Sequence, residues 1–215
     1  MKKSLIIACD GEAASGKSTG AKLISKKYKL LLINSGLLYR YASKIILKDK
    51  PKNIISYLER NFKNISYNKI KNQSLHSQEI SNYVGILAKK KEVRSLMTKI
   101  QKKIIKKNNR ICLEGRDIAS KILNKNPKYD LAFYFKCNIN IAAKRRWNDL
   151  GRKVSLIDVK KSLLKRTRLD KNRKHSPLKK VKDAILIKTD FLSKKEVLKK
   201  MSLKIDNIIS RKTPQ

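Results

Sequence analysis

The chain carries 215 residues, 40% of them hydrophobic and 33% charged, a balance that excludes a disordered polyelectrolyte and leaves room for one sizeable core with a small appendage. Lys and Arg number 55 against 16 Asp and Glu, a formal net charge of +39 that excludes a charge-balanced surface. Lysine supplies 43 of these cations and arginine 12; a base-reading interface recruits the planar fork of Arg, so the charge alone implies non-specific attraction for polyanions and nothing narrower.

Residues 4–10, SLIIACD, form a short apolar run ended by Asp10 and Gly11, the pattern of a strand buried on both faces. Ala21, Leu23, Ile24 and Tyr28 then recur at helical spacing. A second strand is expected at 30–33 and a second helix from Tyr39 to Lys48, so the chain opens as βαβ, which favours a parallel sheet covered by helices. Between 49 and 81, Pro51 and frequent Asn and Ser break the periodicity, and an inserted module is expected there. A single helical pattern resumes over 84–107 through Val84, Leu87, Val93, Leu96, Ile100 and Ile104. Strands are expected at 111–114 and 131–135, followed by a helix from Ile139 to Leu150 and an interruption at Gly151, Arg152 and Lys153 that suits a flap. A basic helix from Ile157 to Lys171, a fifth strand at 184–187 and a terminal helix from Lys194 to Ile209 complete the pattern, with 211–215 frayed.

Cys9, Cys112 and Cys137 lie far apart in or beside apolar runs without a CxxC pair, which reads as buried free thiols in a reducing cytoplasm. No run has the length of a signal h-region or a membrane span. His76 and His175 read as surface residues and form no zinc motif.

Residues 11–18, GEAASGKS, match Gly-x4-Gly-Lys-Ser between an expected strand and an expected helix, which is far more specific than a glycine-rich turn alone. The segment from Gly11 through Glu12, Ala13, Ala14, Ser15, Gly16, Lys17, Ser18 and Thr19 would curl its amides about the phosphates of ATP at a helix N-terminus. Lys17 would meet the β and γ phosphates, Ser18 would place a hydroxyl on Mg2+, and Asp10 is a candidate orienter of metal-bound water. GTPases, helicases, transporters and small-molecule kinases share this loop. The short chain, without a clear Walker B acid, favours a small kinase, which needs convergent arginines to neutralise the transferring group.

Taken with that loop, the segments IIACDGEAASGKST, INSGLLYR, LEGRDIAS, AAKRRW and KRTRLDKNRKHSPLKKVKDAILIKT resemble the bacterial cytidylate kinase, or (d)CMP kinase, family of P-loop nucleoside monophosphate kinases, over about residues 4 to 210. The resemblance implies an α/β P-loop NTPase fold, a five-stranded parallel sheet flanked by helices, in a single kinase domain spanning 1–215. It also implies a small NMP-binding insertion near 49–81 and a lid near 149–165. The implied activity is ATP- and Mg2+-dependent phosphorylation of CMP and dCMP by a cytoplasmic monomer with no obligate protein partner and no membrane.

By the same resemblance Ser35, Arg40 and Arg116 contact the acceptor phosphate, Arg94, Asp117 and Arg173 read cytosine, and Asp170 holds the ribose. Arg145 and Arg166, with Arg146 beside them, fall to the lid and triphosphate side, and Arg145 joins the ATP contacts. Lys17, Arg116, Arg145 and Arg166 form the implied catalytic set. The chemistry agrees: cytosine offers an exocyclic amine that needs an acceptor such as Asp117, and a ring nitrogen and carbonyl that need donors. Asp117 would equally suit a helix N-cap, and each arginine a solvated side chain.

Departures from the family pattern are Glu12 in place of Pro, Ala14 in place of Gly, Asn34 in place of Asp, Gly85 in place of a cytosine-contacting Ser, and Lys188 in place of the Asp of IDT. Glu12 is expected to point outward from the phosphate cradle. Two other readings stay open: another small-molecule P-loop kinase of UMP/CMP type, and an RNA-binding protein that keeps the loop for regulation.

Overall fold

The computed structural model describes residues 3–63, 65–75 and 77–212; the reading of His76 as a surface residue lies outside them, and of the fraying expected over 211–215 only 213–215 does, since Arg211 ends the last helix and Lys212 caps it. The chain divides into a larger unit, Met1–Leu32 with Asn108–Gln215, and a smaller one, Ile33–Lys107. Five strands, β1 (Leu5–Gly11), β2 (Leu31–Asn34), β3 (Arg110–Gly115), β4 (Leu131–Lys136) and β5 (Ile185–Lys188), form one sheet in the order β2-β3-β1-β4-β5. The β1–β3, β1–β4 and β4–β5 pairs are parallel, with Ile7 opposite both Cys112 and Leu131.

All seven residues of β1 are buried, as the unbroken apolar run requires of a central strand with both faces covered. Leu5, Ile7 and Cys9 share one core with Phe133 and Phe135 of β4, with Ala21 and Ile24 of α1 (Lys17–Tyr28), and with Val197, Met201 and Ile205 of α9 (Lys194–Arg211). A capping box starts α9: Ser193 Oγ accepts from Glu196 N at 3.3 Å while Glu196 Oε2 accepts from Ser193 N at 2.8 Å. A second cluster joins Ala13 and Cys137 to Ala142 and Ala143 of α7 (Ile139–Asp149) and to Val159 and Leu163 of α8 (Leu156–Lys171). All three cysteines are buried and free, as their settings led one to expect. Among the described residues no helix is long and apolar enough to cross a membrane.

The smaller unit is more helical than its sequence suggests. The helix expected from Tyr39 starts at Ser35, because Asn34 Oδ1 accepts from Leu37 N (3.2 Å) and caps α2 (Ser35–Asp49). The irregular stretch after Asp49 holds α3 (Ile54–Lys63), α4 (Tyr67–Lys71) and the start of α5 (Gln78–Leu87). The continuous helix expected over 84–107 is corrected to two: Lys89 N and Lys90 N reach back only three residues, to Ile86 O (3.2 Å) and Leu87 O (3.1 Å), closing α5 before α6 (Lys91–Lys106) begins. Leu38, Ala42, Leu58, Phe62, Val93 and Met97 lie in its own core, where Tyr41 meets Phe62 edge to face at 5.4 Å.

Two glycines in helices test this packing with opposite signs. A Cβ on Gly20 of α1 would lie 2.6 Å from Phe135 Cζ and 3.2 Å from Met201 Sδ, whereas one on Gly85 of α5 would meet nothing within 4 Å. Gly20→Ala should lose about 1–2 kcal/mol, overpacking outweighing the helix gain, and Gly85→Ala should gain about 0.5–1 kcal/mol. Chemical denaturation of both variants against the parent reads the two signs.

Candidate functional site

The segment after β1 turns over the carboxyl end of the sheet and is fixed from several directions. Ser15 Oγ donates to Glu12 O (2.9 Å), Glu12 N to Phe135 O (3.2 Å), and Thr189 Oγ1, just past β5, donates to Ser15 O at 3.0 Å. Gly16, at φ 79°, ends the loop as the N-cap of α1 in the left-handed region that glycine tolerates. Ala14 is left-handed too, at φ 54°, where a Cβ is strained by about 1 kcal/mol. A Cβ on Gly11 would stand 2.5 Å from Phe135 O, so the loop lies as close to β4 as glycine permits.

Lys17 heads α1 and is buried, while the hydroxyl-bearing Ser18 and Thr19 beside it are exposed. Burial pulls the Lys17 ammonium down to about 8, Arg116 and Arg166 push it the same way, and Glu114 and Asp10 oppose them. All four neighbours therefore lie close enough to act on the Lys17 charge. Asp10 is buried and its carboxyl is pushed up to about 6 by burial, against the pull of two amides: Ile118 N donates to Oδ1 (2.9 Å) and Ala119 N to Oδ2 (2.8 Å). Both oxygens thus hold the π-helical turn (Ile118–Ile122) that follows β3. Glu114, at the end of β3, is equally buried, and its Oε2 has no hydrogen-bond partner among the described residues. No expectation named Glu114. Its signal was available, since an acid closes the apolar run ICLE on the strand next to β1.

Arg116 and Arg173 share one carboxylate. Arg116 Nε donates to Asp170 Oδ2 at 2.9 Å, and Arg173 Nη1 lies 3.5 Å from Asp170 Oδ1, all three side chains less than 20% exposed. Asp117, next to Arg116, is buried and occupies the N-cap position of the π-helical turn without accepting a cap bond. Arg145, within α7, donates from Nη2 to Thr189 O (2.7 Å) and Asp190 O (3.0 Å) and from Nη1 to Thr189 Oγ1 (3.2 Å). It reaches the phosphate loop through the Thr189 hydroxyl, a connection that no local motif announces. Arg146 and Arg166 are exposed.

Ser35, Arg40 and Arg94 belong to the smaller unit. Ser35 is buried at the start of α2. Arg40 Nη1 donates to Leu75 O (2.9 Å) and Ser81 Oγ (3.0 Å), and Arg94 Nη1 to Ala88 O (3.3 Å) while its guanidinium stands 5.9 Å from the Tyr39 ring centre.

Glu12 corrects an expectation. Its carboxylate is not turned out to solvent: the side chain is 14% exposed, and Oε1 lies 2.6 Å from Lys171 Nζ at the end of α8. An acid in this loop gains more from a cation within reach than from hydration alone. The partner lies 159 residues away in sequence, which is why the residue type misled. Lys188 is exposed at the end of β5, and Thr189, which follows it, faces the loop.

Comparison with known proteins agrees with this geometry. A family model described as cytidylate kinase matches residues 7–207. A cytidylate kinase of Clostridium botulinum (strain Langeland) is 37% identical, with 97% of this chain and 99% of that protein covered. A cytidylate kinase of Clostridioides difficile (strain 630) is 35% identical, covering 94% of this chain and 99% of its own length. Among solved structures, an uncharacterized protein from Eubacterium ventriosum ATCC 27560 aligns with a TM-score of 0.57 at 18% identity over 94% of this chain and 98% of that one, a likeness of fold.

The Arg116–Asp170–Arg173 cluster carries a stability prediction. Removing its single negative charge leaves two poorly hydrated guanidinium groups together, so Asp170→Asn should destabilise the protein by about 2 kcal/mol, less than for a fully buried pair because some solvent reaches all three. Urea denaturation checks it, and a change under 0.5 kcal/mol would count against the cluster.

Proposed function

The chain belongs to the cytidylate kinase family, and from that membership we infer that it uses ATP to phosphorylate CMP and dCMP, giving CDP and dCDP. The observation that carries the reading furthest is Lys17, buried at the head of α1 directly after the left-handed Gly16, with Arg116 and Arg166 close enough to act on its charge. A bound triphosphate would bring this buried lysine a strong counter-charge.

In this reading the loop amides from Gly11 to Thr19 hold the ATP phosphates, Lys17 meets the β and γ groups, and Arg116 and Arg166 neutralise charge as the phosphoryl group passes to a phosphate oxygen of the acceptor. Arg145 braces the loop from its flank through Thr189, with the exposed remainder of the guanidinium toward ATP. The acceptor oxygen is already ionised near neutral pH, so no general base is required. Ser35, Arg40 and Arg116 hold the CMP phosphate. Asp117 accepts from the exocyclic amine of cytosine, Arg94 and Arg173 donate to its other polar atoms, and Asp170, already the partner of Arg116 and Arg173, holds the ribose. The insertion near 49–81 is the NMP-side module in this scheme, and the segment near 149–165 is a lid.

The residues present fit a nucleotide-borne Mg2+. Among the described residues no cluster of three or more His, Cys, Asp or Glu could cage a metal ion, but the orphaned Oε2 of Glu114 and the exposed Ser18 hydroxyl are a donor set suited to a hydrated cation that arrives with phosphate. Bound there, Mg2+ would draw charge from the phosphate oxygens. Asp10, whose two oxygens already accept amides, would act on that site only through its field.

Acceptor choice tests the reading directly. Rates with CMP, dCMP, UMP and AMP at fixed ionic strength should favour the two cytidine nucleotides; a preference for UMP or AMP would sink the assignment. Lys17→Ala should abolish transfer, whereas Asp117→Ala should erode the preference for CMP over UMP by about 1–3 kcal/mol while leaving the KM for ATP nearly constant.

The lowered Lys17 gives a pH signature. Burial favours the neutral Lys17 amine above about 8, and a bound triphosphate favours the ammonium, so ATP binding takes up protons and must weaken as pH rises through that value. Calorimetric titration at pH 8.5 in buffers of different ionisation enthalpy should report proton uptake, and proton release would contradict it.

A further inference from the structure

Two consecutive residues at the end of α8 form ion pairs of opposite sense. Asp170 holds Arg116 and Arg173, while Lys171 turns the other way and meets Glu12, the second residue of the phosphate loop, at 2.6 Å. The Lys171 side chain is 47% exposed and the Glu12 side chain 14%. The Glu12 backbone is fixed by its amide bond to Phe135 O and by Ser15 Oγ on its own carbonyl, so its carboxylate stays within reach of the loop. A fixed negative charge there repels an incoming polyanion unless a cation masks it.

We propose that Lys171 is a positioning residue for the donor side of the site, masking the Glu12 charge so that the phosphate loop accepts a nucleoside triphosphate. The proposal rests on the reading of the loop as an ATP site and adds to it a role for a residue outside the loop and its motif. The pair is specific to this arrangement of residues: an acid placed in the loop creates the need, and α8 supplies the matching cation from its last turn. Lys171 leaves Asp170 free to serve the arginines, so one helix end answers both charges.

The mask and a plain strut make different predictions. Two unit charges several ångströms apart at an effective dielectric near 20 interact strongly enough that Lys171→Met should raise the dissociation constant for a fluorescent ATP analogue by about ten-fold. KM for ATP should rise in parallel and kcat should change less. The loss should shrink as salt is raised, because the Glu12 charge, no longer covered by Lys171, is partly screened. Lys171→Arg should bind like the parent. The deciding variant is Glu12→Gln in the Lys171→Met background. If Lys171 masks charge, the second substitution removes the repulsion and restores most of the affinity; if the pair only ties α8 to the loop, the tie is lost in both variants and affinity stays low. No restoration, or a Lys171→Met variant with parental affinity, overturns the proposal. Binding is read without acceptor, so a parent protein that binds the analogue but does not phosphorylate CMP counts against the proposed reaction alone, and failed restoration counts against the mask alone.

Discussion

A lysine buried at the head of α1 is the constraint on which the rest of the site depends. Its charge is disfavoured by burial and by two neighbouring guanidinium groups, which lower its pKa to about 8. Such a group survives only on a rigid support. Central placement of β1, burial of all its residues, and close approach of Gly11 and Gly20 to Phe135 provide that support. The fold can thus keep cations close together without relaxing apart, which is the preorganisation an incoming polyphosphate needs.

With 16 acids for 55 cations, the placement of each acid is informative. Asp10 holds the π-helical turn, Glu114 faces the site with an orphaned oxygen, Asp170 joins two arginines, and Glu12 binds Lys171. Elsewhere acids fasten the periphery: Asp130 takes Ile6 N and Lys212 Nζ, and Asp206 takes the Tyr28 hydroxyl. Most lysines have no comparable partner to organise them and lie at the surface, where the charge is screened and contributes little to the fold. The +39 therefore describes mostly the solvent face, while a few acids and arginines inside are paired with one another.

Much of this was legible before any coordinates. Strand–loop–helix order, the phosphate loop and all five strands follow from apolar runs and one motif, because a central parallel strand must be apolar on both faces and a phosphate cradle must have its glycines in fixed places. The helices of the smaller unit were not, since α3 and α4 sit among Asn, Ser and Lys, residues that local patterning assigns to loops, and are held by a core that forms only when they assemble. Within the site the missed contacts are all long-range. Thr189 reaches Ser15 across 174 residues, Ala119 reaches Asp10 across 109, and Lys171 reaches Glu12 across 159. Residue type predicted the chemistry of each atom but not its partner.

The physical character of α8 links these observations. Only Val159 and Leu163 of that helix are buried, while Leu156, Ile157, Leu164 and Leu169 remain at least 40% exposed. Little apolar burial means that its position costs little free energy to change. What holds its C-terminal end is charge: Asp170 to the arginines and Lys171 to Glu12. A helix anchored by ion pairs beside a phosphate loop is sensitive to a polyanion in a way that a helix anchored by leucines is not, because the anion competes for the same cations. Weak apolar packing and strong local electrostatics thus make the position of α8 depend on the ion pairs at its C-terminal end.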